Sequence, residues 1–474
     1  MLYIYIMSSK LGDKLRFTEQ KGQAAESKQI SSAIPPRSGT TFAPSQVIEF
    51  AIPGNRPNEF LDLVNSVKIK LPVTVNGAEA TLDRGGAYSF FNKVELVQNG
   101  VVISSVPRAN LLITGLSDFA MESSYKSSTG RLMEGFEGDC LRGCIMADGA
   151  SRTFFLSLLT SNLAMTTPHR DLYLGSSAEI ILRLTLEASA TALKSAAGAA
   201  TYIVQSPELH MTSTYLMPPA MDELNKAVKG DYKMLCNSYD HMSANIAQGA
   251  TTAHIKLSFA KASLERIMFF IRPNSHFSQT AGTGGPKFSL GSRCTATLQS
   301  YQLSIAGTLV PQVPIRADAQ GAEFMYSLLG SDNIVSNYAQ GTSGLLNSYT
   351  IGVSNVEPGT SSLGSAPQID KSNPFMLPGV ANGSGGDNVG KSADATVAAN
   401  SNIGTFIGAV NLEGGLITSG NSPIYSGVNT LNGTDMYIDM TFSAVPADST
   451  IDFYSLSTEL VFLDKDTNMW SKRS

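Results

Sequence analysis

The chain is short of charge. Only 15% of its 474 residues are Asp, Glu, Lys or Arg, against about 25% in ordinary soluble domains. With 34 basic and 39 acidic residues the formal net charge is −5, which argues against the broad basic footprint of a nucleic-acid surface. Cysteine is also scarce. Cys140-x3-Cys144 has no second pair of Cys or His ligands nearby, so these two, with Cys236 and Cys294, read as buried free thiols rather than a zinc site. No run of about 18 apolar residues exists, so no membrane-spanning helix is expected. Met1 to Met7 (MLYIYIM) is apolar but too short for the core of a signal peptide, and no basic leader precedes it. It reads as the start of an arm that docks elsewhere.

Catalytic signatures are missing as well. There is no G-x-S-x-G elbow, no H-E-x-x-H and no P-loop. Gly383 to Gly390 (GSGGDNVG) is glycine-rich but lacks the Lys-Ser/Thr that a phosphate cradle needs. His169, His210, His241, His254 and His276 are scattered, whereas a metal site needs several converging on one place. A Ser-His-Asp set is spatial and leaves no trace in chain order. No catalytic, cofactor-binding or metal-ligating residue is therefore assigned, and no cofactor or small-molecule substrate. Asn382-Gly383-Ser384 and Asn432-Gly433-Thr434 match the glycosylation sequon and also read as ordinary Asn-Gly turns.

What is present is glycine (42 residues) and other small turn formers, in a pattern that suits an all-β protein with long loops. One block of features also recurs. Lys93 to Ile103 (KVELVQNGVVI) and Ser300 to Val310 (SYQLSIAGTLV) each give an alternating strand, a Gly turn and a second strand. A Pro follows each, then Arg108-Ala109 or Arg316-Ala317 opens a helix-like stretch. The two arginines read either as an ion pair or interface contact used twice, or as solvated helix starts. Ala178 to Leu184 pairs in pattern with Asp435 to Phe442, and Ser206 to Met211 with Ser457 to Phe462. Gly307 lies 207 residues after Gly100, but Ile438 lies 258 after Ile180, so the second copy carries 51 extra residues between those landmarks. So long a period indicates two domains rather than a repeat array.

The expected organisation follows. Residues 1–45 form an N-terminal arm and 46–217 a first β-domain. Residues 218–231 are a helical linker beginning Pro218-Pro219. Residues 232–464 are a second β-domain with a long insertion at 331–402, and 465–474 a polar tail. In the first domain Val67, Ile69, Leu71, Val73 and Val75 share one strand face, opposite Lys68, Lys70 and Thr74. In the second, Leu264 to Ile271 is almost continuously apolar, as in a strand covered on both faces. Arg316 to Leu329 reads as a helix interrupted by Gly321.

Two such halves, each with about eight strand candidates and a helix after the fourth or fifth, resemble the double jelly-roll major capsid proteins of the adenovirus, tailless-phage and polinton-like virus lineage. Phe60-Leu61-Asp62-Leu63, Leu82 to Phe91 (LDRGGAYSFF) and the Lys93 to Ile103 hairpin carry the likeness. It implies an all-β fold of two tandem eight-stranded antiparallel jelly-roll sandwiches with short helices in loops. It also implies a structural, non-enzymatic capsid protein in the virion, made in the host cell without a signal peptide. Its homotrimers would have a pseudo-hexameric outline and tile an icosahedral shell. Partners would be neighbouring capsomers, minor capsid or penton proteins, and an internal membrane or the genome through the arm. The insertion 331–402 would form an outward tower. The alternative reading is a β-sandwich adhesin or glycan-binding module of a phage or bacterium; a sandwich-borne carbohydrate-active enzyme is a third.

Overall fold

In a computed structural model, the described residues are 27–473 apart from 64–65, 121–124, 127, 138–141, 158–170, 196–197, 230–231, 278–289, 292, 295, 317–402, 405, 413–426 and 432–433. The insertion at 331–402, the Gly383–Gly390 run, the first sequon, Asn432-Gly433 of the second and residues 317–329 of the helix expected over Arg316 to Leu329 lie outside them; the expected helix start at Arg316 is instead the end of a strand.

Eight principal strands build the first half: β1 (Ser27–Ile34), β2 (Val47–Ile52), β3 (Val67–Asn76), β4 (Phe91–Gln98), β5 (Val101–Pro107), β6 (Ser151–Leu156), β7 (Ile180–Leu186) and β8 (Glu208–Leu216). One sheet runs β1-β8-β3-β6 and the other β2-β7-β4-β5, all neighbours antiparallel. The period-two pattern explains the sandwich. Along β3 the five apolar residues from Val67 to Val75 are buried and the residues between them half-buried. They face the buried sides of β7 and β2, including Leu182, Leu184, Phe50 and Ile52, in one core. Burying each such side chain is worth about 1.5–3 kcal/mol. On the other face of β3, Lys70 pairs with Glu208 of β8 at 3.1 Å.

The second half repeats this plan with β9 (Lys233–Ile246), β10 (Thr252–Leu257), β11 (Leu264–Pro273), β12 (Leu298–Ile305), β13 (Thr308–Arg316), β14 (Gly408–Asn411), β15 (Met436–Phe442) and β16 (Ser449–Leu463). Its sheets run β9-β16-β11-β14 and β10-β15-β12-β13. The order matches the first half strand for strand. The recurring hairpins are β4-β5 and β12-β13. Their two-residue turns share one backbone, Asn99-Gly100 at φ 47° and 81° and Ala306-Gly307 at 50° and 80°. Two positive-φ residues make the turn that matches the twist of a hairpin, and each glycine adopts its angle without penalty.

Two boundary expectations are corrected. The arm was placed at 1–45, yet β1 pairs residue for residue along β8, from Ser27 opposite Leu216 to Ile34 opposite Leu209. Thr41–Phe42 adds a further bridge to Thr201–Gln205. The first sandwich thus begins by Ser27. The residues SKQISSAI are mostly exposed, because an edge strand needs backbone partners more than apolar side chains. The polar tail at 465–474 is also part of the fold. β17 (Trp470–Arg473) pairs with the end of β16, and Trp470 is buried.

The halves are joined by α2 (Pro218–Val228), with prolines in its first turn and Lys229 in the left-handed region at its end. They are also packed together. Every residue of β11 is buried. Ile267, Phe269 and Ile271 point into the second core, whereas Met268 and Phe270 join the first. The β9-β16-β11 sheet is therefore covered on both faces. Part of the cover is α1 (Ala109–Ala120). A Cβ on Gly115 of α1 would sit 2.5 Å from the Phe270 ring. Gly115→Ala should lower stability by about 1–3 kcal/mol through overpacking, outweighing the roughly 1 kcal/mol gain in helix propensity. Thermal melts of the two proteins check this.

Candidate functional site

Among the described residues no three His, Cys, Asp or Glu side chains are placed to hold a metal ion. Three histidines each have a separate carboxylate: His210 with Glu208 at 3.0 Å, His241 with Asp452 at 2.8 Å, and His254 with Asp439. His169 and the side chain of His276 lie outside the description. Cys144 and Cys236 are buried free thiols, and burial pushes both thiols up. Arg108 is a backbone contact rather than an ion pair: it sits at φ 48° before α1, and its carbonyl accepts a 2.9 Å bond from the Tyr454 hydroxyl of the other sandwich. Arg316 is an exposed strand end.

Polar chemistry concentrates instead at the junction between the sandwiches. Asp83 is fully buried and accepts backbone N–H bonds from Leu290 at 2.9 Å and Gly291 at 2.8 Å, across the junction, and from Arg84 at 2.7 Å. Burial pushes its carboxyl up despite those bonds and the nearby Lys194. Burial likewise lowers the Lys194 amine to about 8, against the pull of Asp83 and with a push from Arg272. On the junction face of β11 and β16, Arg272 Nε donates to Asp452 Oδ2 at 2.9 Å, with a second bond from Nη2 at 2.5 Å, and His241 binds the other oxygen. Burial raises the Asp452 carboxyl, but Arg272 and His241 together hold it below its ordinary value.

The chain end completes the junction. Gln98 of β4 accepts from the Trp470 backbone N–H at 2.7 Å and donates to Ala178 O at 2.6 Å. The Trp470 indole donates to Tyr173 O at 3.3 Å, and Ser177 donates to the Asn468 carbonyl. Beside it lies a pocket of about 550 Å³ lined by Phe60, Tyr173, Leu224, Val228, Tyr232 and Trp470, among others. Tyr173 and Tyr232 stack with centroids 4.2 Å apart. Sequence reasoning missed this whole region. Asp83 stood in the LDRGGAYSFF stretch, but its partners lie 207 and 208 residues away. The arrangement ties the two sandwiches together through hydrogen bonds of Asp83, Gln98 and Tyr454.

A scan against protein-family models and a search of curated proteins match nothing. Solved structures do match. PBCV-1 VP54, fitted into a reconstruction of the virophage Sputnik, superposes with TM-score 0.59 over 97% of this chain and 99% of its own at 11% identity. The chain of a PBCV-1 virus capsid model gives 0.57 with the same coverage and identity. The Faustovirus major capsid protein gives 0.53 at 11% identity, covering 94% of this chain and 91% of that one.

The fold is a double jelly roll.

Both sandwiches of this double jelly roll take part in the match, since it runs nearly end to end in each chain. With identity so low, what the likeness establishes is the arrangement of strands.

Proposed function

We propose that this chain is a major capsid protein, a structural and non-enzymatic component of a virion. The observation that carries the reading is one jelly roll built twice and packed side by side, in the fold of proteins named as virus capsids. Three copies of a double unit place six similar wedges around an axis. The resulting homotrimer has a hexagonal outline and can tile an icosahedral facet against neighbouring capsomers, with minor capsid or penton proteins closing the gaps. The low charge supports a surface largely given to neighbours, because interface cores are depleted in charged residues. Residues preceding β1 are proposed as the arm that reaches a neighbour, an internal membrane or the genome, and 331–402 as the outward tower.

Light scattering on the purified protein should give three times the 50.3 kDa of one chain, and negative-stain images should show hexagonal particles. Obligate interfaces bury about 2,000 Å² or more, so the trimer should persist at micromolar concentration across pH and salt. A stable monomer that binds glycans would instead establish the adhesin reading.

A further inference from the structure

The pocket beside Trp470 sits where the chain enters its fold. Its wall comes from both sandwiches and the linker: Phe60 and Tyr173 from the first, Leu224 and Val228 one turn apart on α2, and Tyr232 and Trp470 from the second. Its size falls in the roughly 300–1,000 Å³ range of ligand sites. The centre is apolar and aromatic, and the charges belong to its lining at Asp171 and Lys233, both exposed. Tyr173 and Tyr232 stack on each other, so no slot remains between them for a flat ring. The wall is instead a surface for aliphatic and aromatic side chains.

Leu216 also lines this pocket, and Leu216 is the residue opposite Ser27, the first of β1. The 26 residues that precede β1 therefore enter the fold at the pocket's edge. Seven of them, Met1 to Met7, are MLYIYIM, an uncharged run of Leu, Ile and Tyr that is costly to leave in water. The 20 residues from Met7 to Ser27 can span at most about 70 Å, enough to fold back or to reach a neighbouring copy. Lys10 and Lys14 follow the apolar run, and the pocket lining includes the exposed Asp171. We propose that Met1–Met7 seats in this pocket, on its own chain or on an adjacent copy, and fastens the arm to the sandwich junction. The pocket and the strand entry are independent of any shell-forming role.

The test uses the full-length chain with the photoreactive amino acid p-benzoylphenylalanine in place of Tyr3, irradiated and mapped by mass spectrometry. Cross-links are expected on the Leu224–Met234 segment and on the peptides carrying Tyr173 or Trp470. Val228→Asp should reduce them to background, while Leu132→Asp, at an exposed site elsewhere, should leave them unchanged. Ile4→Asp should also abolish them without touching either sandwich, so loss of signal cannot be blamed on misfolding. Mixing heavy- and light-isotope copies tells an own-chain seat from a neighbour's; both place the segment in the pocket. Cross-links scattered over other surfaces, or ones that survive both Val228→Asp and Ile4→Asp, would overturn the assignment. Hexagonal trimers that lack the cross-link would sink the pocket assignment while leaving the capsid reading intact.

Discussion

Arg272→Leu should cost about 3–5 kcal/mol, because it leaves Asp452 charged and buried with His241 as the partner that remains. Arg272 and Asp452 are nearly inaccessible, and the guanidinium grips one carboxylate oxygen through two nitrogens. Arg272→Leu with Asp452→Leu should recover most of the loss, since an apolar pair of similar volume removes the stranded charge. Differential scanning calorimetry of the three variants checks the order wild type ≈ double > single. The pH dependence has a definite sign. The Asp452 carboxyl is held below its ordinary value of 3.8 in the fold. Its contribution is therefore complete above that value and lost as pH falls through the lower, folded one. In Arg272→Leu this acid-side loss should shrink. Lys194 and Asp83 face the same junction, so the wild-type profile will carry their titrations as well. An Arg272→Leu protein as stable as wild type at neutral pH would remove the pair from the account of the junction.

The second large effect separates two truncations that the sequence alone treats as one. Removing residues 2–25 should leave a folded, trimeric protein. Removing 2–40 should yield aggregated protein, because it deletes β1 and uncovers the backbone of β8 over all eight paired residues. An exposed, unpaired strand edge is a template for pairing between chains. Ile34, which packs against the first core, would go too. Soluble yield and size-exclusion profiles of the two truncations decide the matter. If the longer truncation were as soluble as the shorter, β1 would be an appendage and the original boundary at 45 would stand.

What could be read from the sequence depended on how strongly a strand's side chains report its surroundings. β3 alternates because one face is wet, and β11 does not because neither is; both patterns were visible. The Asn99-Gly100 and Ala306-Gly307 turns marked the repeat. β1 left almost no signal, since SKQISSAI is held by its backbone and exposes most of its side chains. β17 was hidden for a different reason: its one buried side chain, Trp470, is followed by polar Ser471, Lys472 and Arg473. The junction charges were the least legible. Arg266 and Arg272 stand inside an apolar run, and what makes them tolerable, Asp452 for Arg272, is 180 residues away.

The sheet buried on both faces imposes an order of events during synthesis. A ribosome releases the N-terminal sandwich first, and domains generally fold as they emerge. Its β1-β8-β3-β6 sheet carries a half-wet face, as Lys70 and Glu208 show. The later copy has no such face on β11. Made alone, it would present Met268, Phe270 and the buried arginines to water, so its nascent chain needs a finished neighbour to close upon. The two halves, alike in strand order, are not exchangeable in the gene.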